Sequence, residues 1–302
     1  MNTIFGCPFR IEGNVRGKRV VTLSDIPLEW EELRDKRGGE AVILRSGENS
    51  LVKRYRLWND PVYVDHQEKD ATVKRLLEYQ DKIFSLPDMP PEVIVPKKIL
   101  QSVNGSVFGY EMEDISNAIS FDEIRDHFPV DEQLYALGLL KLLVEELHQI
   151  DVVIGDFVPR DVLYKDGQIY LVDTDSLQFG DYKCESFSLG YTDPRILGFE
   201  LQDGKFLPKL MKPYSKETDW YSFYGICMAT LAGVDLFDGT HPSVVTKEEM
   251  VKNNIMIFEE EVSYPESALP LSEIPRKILE AIYLFTYGGD RSVLPEDEFF
   301  EF

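Results

Sequence analysis

The sequence predicts an α+β protein in which a mostly antiparallel β-sheet with one helix comes first and a mainly helical region follows. Two observations support this prediction. Short apolar runs separated by turn residues fill the first third of the chain, whereas apolar residues recur at helical spacing after Asp114. With 43% hydrophobic residues among 302, the chain can bury a substantial core.

The first part of the chain reads as paired strands. Residues 46–49, Ser-Gly-Glu-Asn, predict a hairpin turn, and Asn104-Gly105 is a strong two-residue hairpin signal. One charged segment with helical spacing, from about 65 to 83, interrupts the strands. The apolar runs that predict strands are 20–23, 41–44, 51–55, 93–100 and 106–112. These elements together predict a sheet with a single inserted helix.

The second part is dominated by helical patterns. One apolar stripe predicts a long helix, formed by Leu134, Leu137, Leu140, Val144 and Leu147. Asp166-Gly167 predicts a small hairpin, and residues 220–231 and 274–287 predict further helices. Residues 196–214 are expected to form an exposed loop.

The change of pattern near residues 111–117 predicts a boundary between two lobes with a cleft between them. The expected parts are an N-terminal extension (1–35), an N-lobe (36–113) and a C-lobe (114–302). Within the extension, residues 10–23 read as a hairpin about Gly13-Asn14 that would pack on the N-lobe.

Composition restricts the partners. A net charge of −22, from 54 acidic and 32 basic residues, disfavours binding to nucleic acid or an anionic membrane. No signal peptide and no run of about eighteen apolar residues is visible, so a cytoplasmic protein is expected. The three cysteines, Cys7, Cys184 and Cys227, lack C-x-x-C spacing and predict reduced thiols.

Acidic residues with regular spacing surround the small hairpin. Asp161 lies five residues after Asp156, and Asp173 lies seventeen residues after it. Apolar runs precede both Asp156 and Asp173. A carboxylate beside such runs is costly unless it has a function, so these two are the candidate catalytic residues. Asp166 needs no such explanation, because Asp-Gly is an ordinary turn.

This pattern resembles the protein kinase superfamily, and most closely the divergent bacterial and phage eukaryotic-like serine/threonine kinases with Asp-Thr-Asp (173–175) in place of Asp-Phe-Gly. The resemblance implies a two-lobed kinase fold that transfers the γ-phosphate of ATP to a protein Ser/Thr hydroxyl. Asp156 would accept or orient the hydroxyl proton. Asp173 would hold Mg²⁺ or Mn²⁺, and Asp161 would take the second metal-ligand position.

The resemblance also implies a nucleotide site upstream. Gly38 and Gly39 would form a degenerate glycine-rich loop, and Lys53 would pair with the α- and β-phosphates of ATP. Glu68 would orient Lys53 by an ion pair, with Glu78 as the alternative. Residues 111–113 (Glu111, Met112, Glu113) would contact adenine through their backbone.

Further positions match kinase landmarks with structural roles. By the resemblance, Asp219 would support the backbone of the catalytic loop, and Arg291 would pair with an acid at the end of the activation segment. Three departures from the family pattern stand out. Ile154-Gly155 replaces His-Arg, Asp161 replaces Asn, and Asp193-Pro194-Arg195 replaces Ala-Pro-Glu. The last reverses the charge expected opposite Arg291, so either another acid such as Glu200 compensates or the match to the family pattern shifts at this point.

Because of these departures, other functions stay open. A pseudokinase would keep the fold as a nucleotide-binding or scaffolding module without transferring phosphate. A small-molecule kinase of the aminoglycoside or choline type also has short motifs like Gly155-Asp156 and residues 173–175. The expected partner is a protein substrate or a regulatory protein, with no nucleic acid and no membrane.

Overall fold

A computed structural model describes residues 10–23, 30–33, 41–56 and 81–300. The chain divides into two compact units. Unit 1 comprises residues 1–89 with 94–117, and unit 2 comprises residues 90–93 with 118–302. The protein is mixed α+β, with a large sheet in the N-terminal unit and most of its helices in the second.

Unit 1 is built on a seven-stranded sheet. Its strands are β1 (Arg10–Val15), β2 (Lys18–Leu23), β3 (Glu31–Glu32), β4 (Ala41–Gly47), β5 (Ser50–Tyr55), β6 (Lys98–Ser102) and β7 (Val107–Glu113). They lie in the order β1-β2-β6-β7-β5-β4-β3, and neighbouring strands are antiparallel except β2 and β6, which are parallel. The hairpins predicted at residues 46–49 and at Asn104-Gly105 are confirmed.

The first hairpin turns at a different place from the one the sequence predicted. Arg16 and Gly17, with φ of 50° and 79°, form the turn between β1 and β2. Gly13 instead pairs with Val20 inside the ladder. A two-residue hairpin turn of this kind needs positive φ at both central positions, and Gly17 adopts it without steric cost.

Apolar side chains alternate between the two faces of this sheet. Val20, Ala41 and Ile99 belong to one buried cluster, whereas their neighbours Val21, Val42 and Leu100 belong to another. Successive residues of a strand point to opposite faces, so both faces of the sheet carry a core. Of the predicted helix at 65–83, residues 81–85 are helical and Ile83 is buried in the first cluster, while residues 57–80 lie outside the described part.

Helices dominate unit 2. The predicted stripe is confirmed, since Leu134, Leu137, Leu140, Val144 and Leu147 are all fully buried. The α-helices are α1 (Ile124–His127), α2 (Val130–Gln149), α3 (Lys216–Ala232), α4 (Lys247–Asn253) and α5 (Arg276–Ile282), which continues as a π-helix, Tyr283–Tyr287. Short 3₁₀ turns are Pro159–Asp161, Pro194–Ile196, Leu271–Glu273 and Asp297–Phe299. No helix in the described ranges is long and apolar enough to span a bilayer.

Two small sheets complete unit 2. The hairpin predicted about Asp166-Gly167 is confirmed as β9 (Val162–Lys165) and β10 (Gln168–Leu171), with β8 (Ile119–Ser120) beside β9.

The expectation of a loop at 196–214 is wrong. Those residues contain a hairpin of β11 (Leu197–Gln202) and β12 (Lys205–Leu210). Asp203-Gly204, with φ of 50° and 77°, forms its turn, and this dipeptide is a hairpin signal that the sequence already contained.

Candidate active site

A buried carboxylate organises the segment before Asp156. Asp219, in the first turn of α3, has no exposed surface. Its Oδ2 accepts a hydrogen bond of 2.7 Å from the Ile154 amide, and its Oδ1 accepts one of 3.1 Å from the Gly155 amide. The prediction that Asp219 supports this backbone is confirmed.

The same carboxylate contacts the end of α2. Oδ2 of Asp219 lies 3.0 Å from Nε2 of His148, in the last turn of that helix. Burial raises the pKa of Asp219, against the opposing effect of the hydrogen bonds from His148, Ile154 and Gly155. Two long helices and the loop before Asp156 are therefore joined through one side chain.

Gly155 is required by its position. Its φ is +86°, in the left-handed region, and a Cβ there would lie 2.8 Å from both Cβ and Sγ of Cys184. The backbone oxygen of Ser176 would lie 3.1 Å away. Only glycine combines this conformation with such close neighbours, so the chain bends at Gly155 and presents Asp156.

Asp156 has a carboxyl group in an unusual environment. Its Oδ1 is buried, and within the described residues it has no hydrogen-bond partner. Burial raises the pKa of Asp156, and the Asp173 charge adds to that rise. Hydrogen bonding of the Ser188 and Ser186 side chains to the carboxyl group, and the positive charge of Arg160, act in the opposite direction and lower the pKa. Buried polar atoms usually have partners, and a carboxyl group whose pKa is raised by burial and by a neighbouring charge is a candidate functional group.

Backbone contacts bring Asp161 and Asp173 next to the same loop. The Asp161 carbonyl accepts a 2.9 Å hydrogen bond from the amide of Val172, the residue before Asp173. Asp173 is exposed and has a φ of 61°. The hydroxyl of Ser176 donates to the carbonyls of Ile154 (3.2 Å) and Asp173 (3.1 Å), so it bridges the two segments. Asp156, Asp161 and Asp173 are thus assembled around the small hairpin of unit 2.

The residues predicted in unit 1 lie on its sheet. Lys53 is half-buried on β5, opposite Ile43 on one neighbouring strand and Tyr110 on the other. Glu111 and Glu113 form ion pairs with Lys98 and Lys97. Met112 packs against the buried cluster that contains Tyr55. Gly38, Gly39, Glu68 and Glu78 lie outside the described residues.

The alternative that another acid compensates is confirmed, but the acid opposite Arg291 is Asp193 and not the example Glu200. Nη2 of Arg291 lies 3.1 Å from Oδ2 of fully buried Asp193, which also binds Arg195. Glu200 instead pairs with Lys209 across the β11–β12 hairpin. Arg195 stands where the family pattern has a glutamate, and the negative charge comes instead from Asp193, two residues earlier in the chain.

Aromatic rings hold the Arg291 guanidinium in place. It stacks 4.9 Å from the ring of Tyr221 on α3 and 4.6 Å from the ring of Phe285. Burial lowers the pKa of Arg291, while the Asp193 carboxylate opposes that change. This network fixes the end of the segment that follows Asp173 onto the helical core.

A cavity lies elsewhere in unit 2. It has a volume of about 440 Å³ and is lined by residues 237–241, 244–247 and 250. None of the predicted catalytic, nucleotide-binding or metal-binding residues contributes to its lining. The candidate site therefore rests on the aspartates around the small hairpin and not on this cavity.

Comparison with known proteins gives a distant relationship to one class of enzyme. No family model matches the chain. Over 167 residues it is 26% identical to serine/threonine-protein kinase MRCK beta of Homo sapiens, and it matches the Rattus norvegicus and Mus musculus proteins of that name equally. The match covers 53% of this chain and only 9% of the length of those curated relatives. The chain thus has a weak similarity to a serine/threonine protein kinase.

Proposed function

We propose that this protein is an ATP-dependent phosphotransferase of the protein kinase class that modifies a Ser or Thr hydroxyl of a protein. One observation carries the proposal. Asp219 fixes the Ile154-Gly155 backbone so that the unpartnered carboxyl oxygen of Asp156 stands near Asp173. The similarity to a serine/threonine protein kinase agrees with this reading.

In this proposal Asp156 accepts or orients the proton of the acceptor hydroxyl. Burial raises the pKa of Asp156, and a carboxylate with a raised pKa is a stronger base. The rate should rise with pH as Asp156 loses its proton. Positioning and electrostatics supply the rest of the catalysis, because phosphoryl transfer needs little covalent chemistry from the protein.

Asp161 and Asp173 would hold the metal ion. Magnesium commonly takes one or two protein carboxylates and completes its shell with water and substrate phosphates. Asp161 and Asp173 would supply two such carboxylates from segments that are joined by the hydrogen bond from the Val172 amide to the Asp161 carbonyl. Bound there, the cation would neutralise charge on the phosphates.

The unit 1 residues would bind the nucleotide. Lys53 would pair with the phosphates, Gly38 and Gly39 would approach them through backbone amides, and Glu68 would orient Lys53. Residues 111–113 would contact adenine through their backbone groups. These roles follow from the resemblance alone.

The test is transfer of labelled γ-phosphate from ATP, with Mg²⁺ or Mn²⁺, to the protein itself and to a generic protein acceptor. Asp173→Asn should abolish the label. Asp166→Asn is the matched control, since Asp166 is also exposed with a positive φ of 52° and sits on the same hairpin. Equal labelling of both variants would contradict the role of Asp173.

The same samples separate a kinase from a nucleotide-binding module. If no label appears but ATP and Mg²⁺ still raise the melting temperature of the wild type, the chain binds nucleotide without transferring phosphate. That outcome would favour a pseudokinase, and the substitution of Asp161 for the usual Asn would then be the first cause to examine.

A further inference from the structure

One surface of unit 2 combines positive charge with exposed apolar side chains. On β12 the alternate residues Lys205, Leu207 and Lys209 are exposed, and Met211 continues the alternation beyond the strand. Leu207 is 45% and Met211 61% exposed. Lys212, the next residue in the chain, is also exposed. We call these five residues, Lys205, Leu207, Lys209, Met211 and Lys212, the basic face.

The opposite side of the hairpin is anchored. The Lys252 ammonium of α4 lies 4.0 Å over the ring of Phe206. Leu210 packs against a buried cluster of Val153, Cys184, Ile196 and Tyr214. That cluster includes the residue three positions before Asp156, so the hairpin is fixed to the candidate active-site segment. Its inner side is held by packing, whereas its basic face is left to solvent.

The charge of the basic face is opposite to that of the whole chain. The basic face carries three lysines, Lys205, Lys209 and Lys212, and no acid of its own, in a protein with a net charge of −22; on the neighbouring strand Glu200 stands opposite Leu207. Lys209 pairs with Glu200 and Lys216 pairs with Asp151, both on the surface. For Lys205 and Lys212 no ion pair is found within the described ranges. Exposed lysines repel one another, which gives an acidic partner a favourable place to bind.

We propose that the basic face binds an acidic, extended segment of the protein that accepts the phosphate. Residues two apart on a strand lie about 6.8 Å apart on one face. An extended segment with acidic and apolar side chains at every second position would match Lys205, Leu207, Lys209 and Met211 in turn. This inference rests on the proposed function, and it adds that acceptor recognition occurs outside the site of transfer.

The apolar members distinguish a polypeptide from a nucleic acid. Leu207 and Met211 offer no hydrogen bond or charge to a phosphate backbone, but they can bury apolar side chains of a peptide. Opposite charges across the interface would speed association and select acidic partners.

Binding can be measured without nucleotide. The probe is a short fluorescein-labelled peptide with alternating glutamate and leucine at every second position and serine between them, followed by fluorescence anisotropy with the full chain. The comparison peptide has lysine in place of glutamate. The wild type should prefer the acidic peptide at about 50 mM salt and lose much of that preference at about 500 mM, because salt screens surface charges.

Variants locate the binding. Lys205→Glu/Lys212→Glu should weaken acidic-peptide binding about tenfold, the sum of several surface charge effects. Lys97→Glu/Lys277→Glu, which changes the net charge equally at exposed positions elsewhere, should stay within about twofold. Leu207→Ser/Met211→Ser should weaken the binding that persists at high salt.

Three results would overturn the inference: equal affinity for the two peptides, equal loss in both charge-reversed variants, or tighter binding of a single-stranded oligonucleotide at the same lysines. Failure of the proposed function gives a different result. The basic face could bind the acidic peptide preferentially while no phosphate is transferred to any acceptor. That result would support the peptide-binding surface and contradict only the proposed kinase activity.

Discussion

Oδ2 of Asp219 lies 3.0 Å from Nε2 of His148, and both side chains are buried. This contact joins the end of α2 to the start of α3 at the point where the same carboxylate binds two backbone amides of the loop before Asp156. The geometry of the candidate site is thereby set by the helical core, and substitutions at Asp219 should affect both stability and activity.

Asp219→Asn should destabilise the protein by about 2–3 kcal/mol, because one buried amide loses its acceptor and faces the new side-chain NH₂ group. Urea unfolding would measure the change. Asp151→Asn makes the same chemical change at an exposed carboxylate that pairs with Lys216 at 2.7 Å, and it should have little effect. Equal stability of the two variants would show that the Asp219 hydrogen bonds contribute little.

Gly155→Ala should cost about 2–3 kcal/mol, the sum of a strained backbone and a collision with Cys184. Gly167→Ala is the control. Its φ is also positive, at 76°, but no atom lies within 4 Å of the added Cβ, so about 1 kcal/mol of backbone strain is expected. Because Cys184 is itself buried, the comparison is the cost of Gly155→Ala with and without Cys184→Gly, and that cost should be smaller in the Cys184→Gly background. An equal cost in both backgrounds would mean that packing at Cys184 is not the cause.

Asp193→Asn should lower stability by about 3 kcal/mol, since it removes the nearest opposite charge from the largely buried Arg291 side chain and leaves only Glu217, 3.9 Å away. Glu200→Gln should change the unfolding midpoint little, because its partner is the exposed Lys209. Thermal melting of the two variants beside the wild type is sufficient. A larger loss for Glu200→Gln would restore the pairing first expected from the sequence.

Asp156→Asn should stabilise the protein at neutral pH while abolishing transfer. The pKa of Asp156 is raised in the folded chain above its ordinary 3.8, so in the pH range above 3.8 the folded state holds a proton that the unfolded state has lost. Stability therefore falls as pH rises through that range, and asparagine removes the loss. The variant should melt about 1–3 °C above the wild type near pH 7, with the difference vanishing near about pH 4.

Asp166→Asn, at an exposed turn, controls for the loss of one charge in the pH series. A melting temperature of Asp156→Asn below that of the wild type at neutral pH would show that the carboxylate stabilises the fold. Asp156 would then be a structural residue and not one maintained at a cost for function.

Local elements could be predicted wherever nearby residues decide them. Asn104-Gly105 produced the expected hairpin, and the apolar stripe on α2 is buried along its length. Two turns were missed. Near residues 13–17 the turn was expected at Gly13-Asn14, but the register of β1 with β2 places it at Arg16-Gly17. At 203–204 an Asp-Gly signal stands among prolines and lysines, and packing against α4 completes the hairpin.

The sequence alone was sufficient to predict most helices and strands and to single out the spaced aspartates, because spacing and turn chemistry act between near neighbours. The tertiary structure decided which acid meets Arg291, how Asp219 holds the loop, and that Oδ1 of Asp156 is buried. Those properties join residues far apart in the chain. Burial and ion pairing depend on which distant segments meet, and only packing of the whole unit determines that.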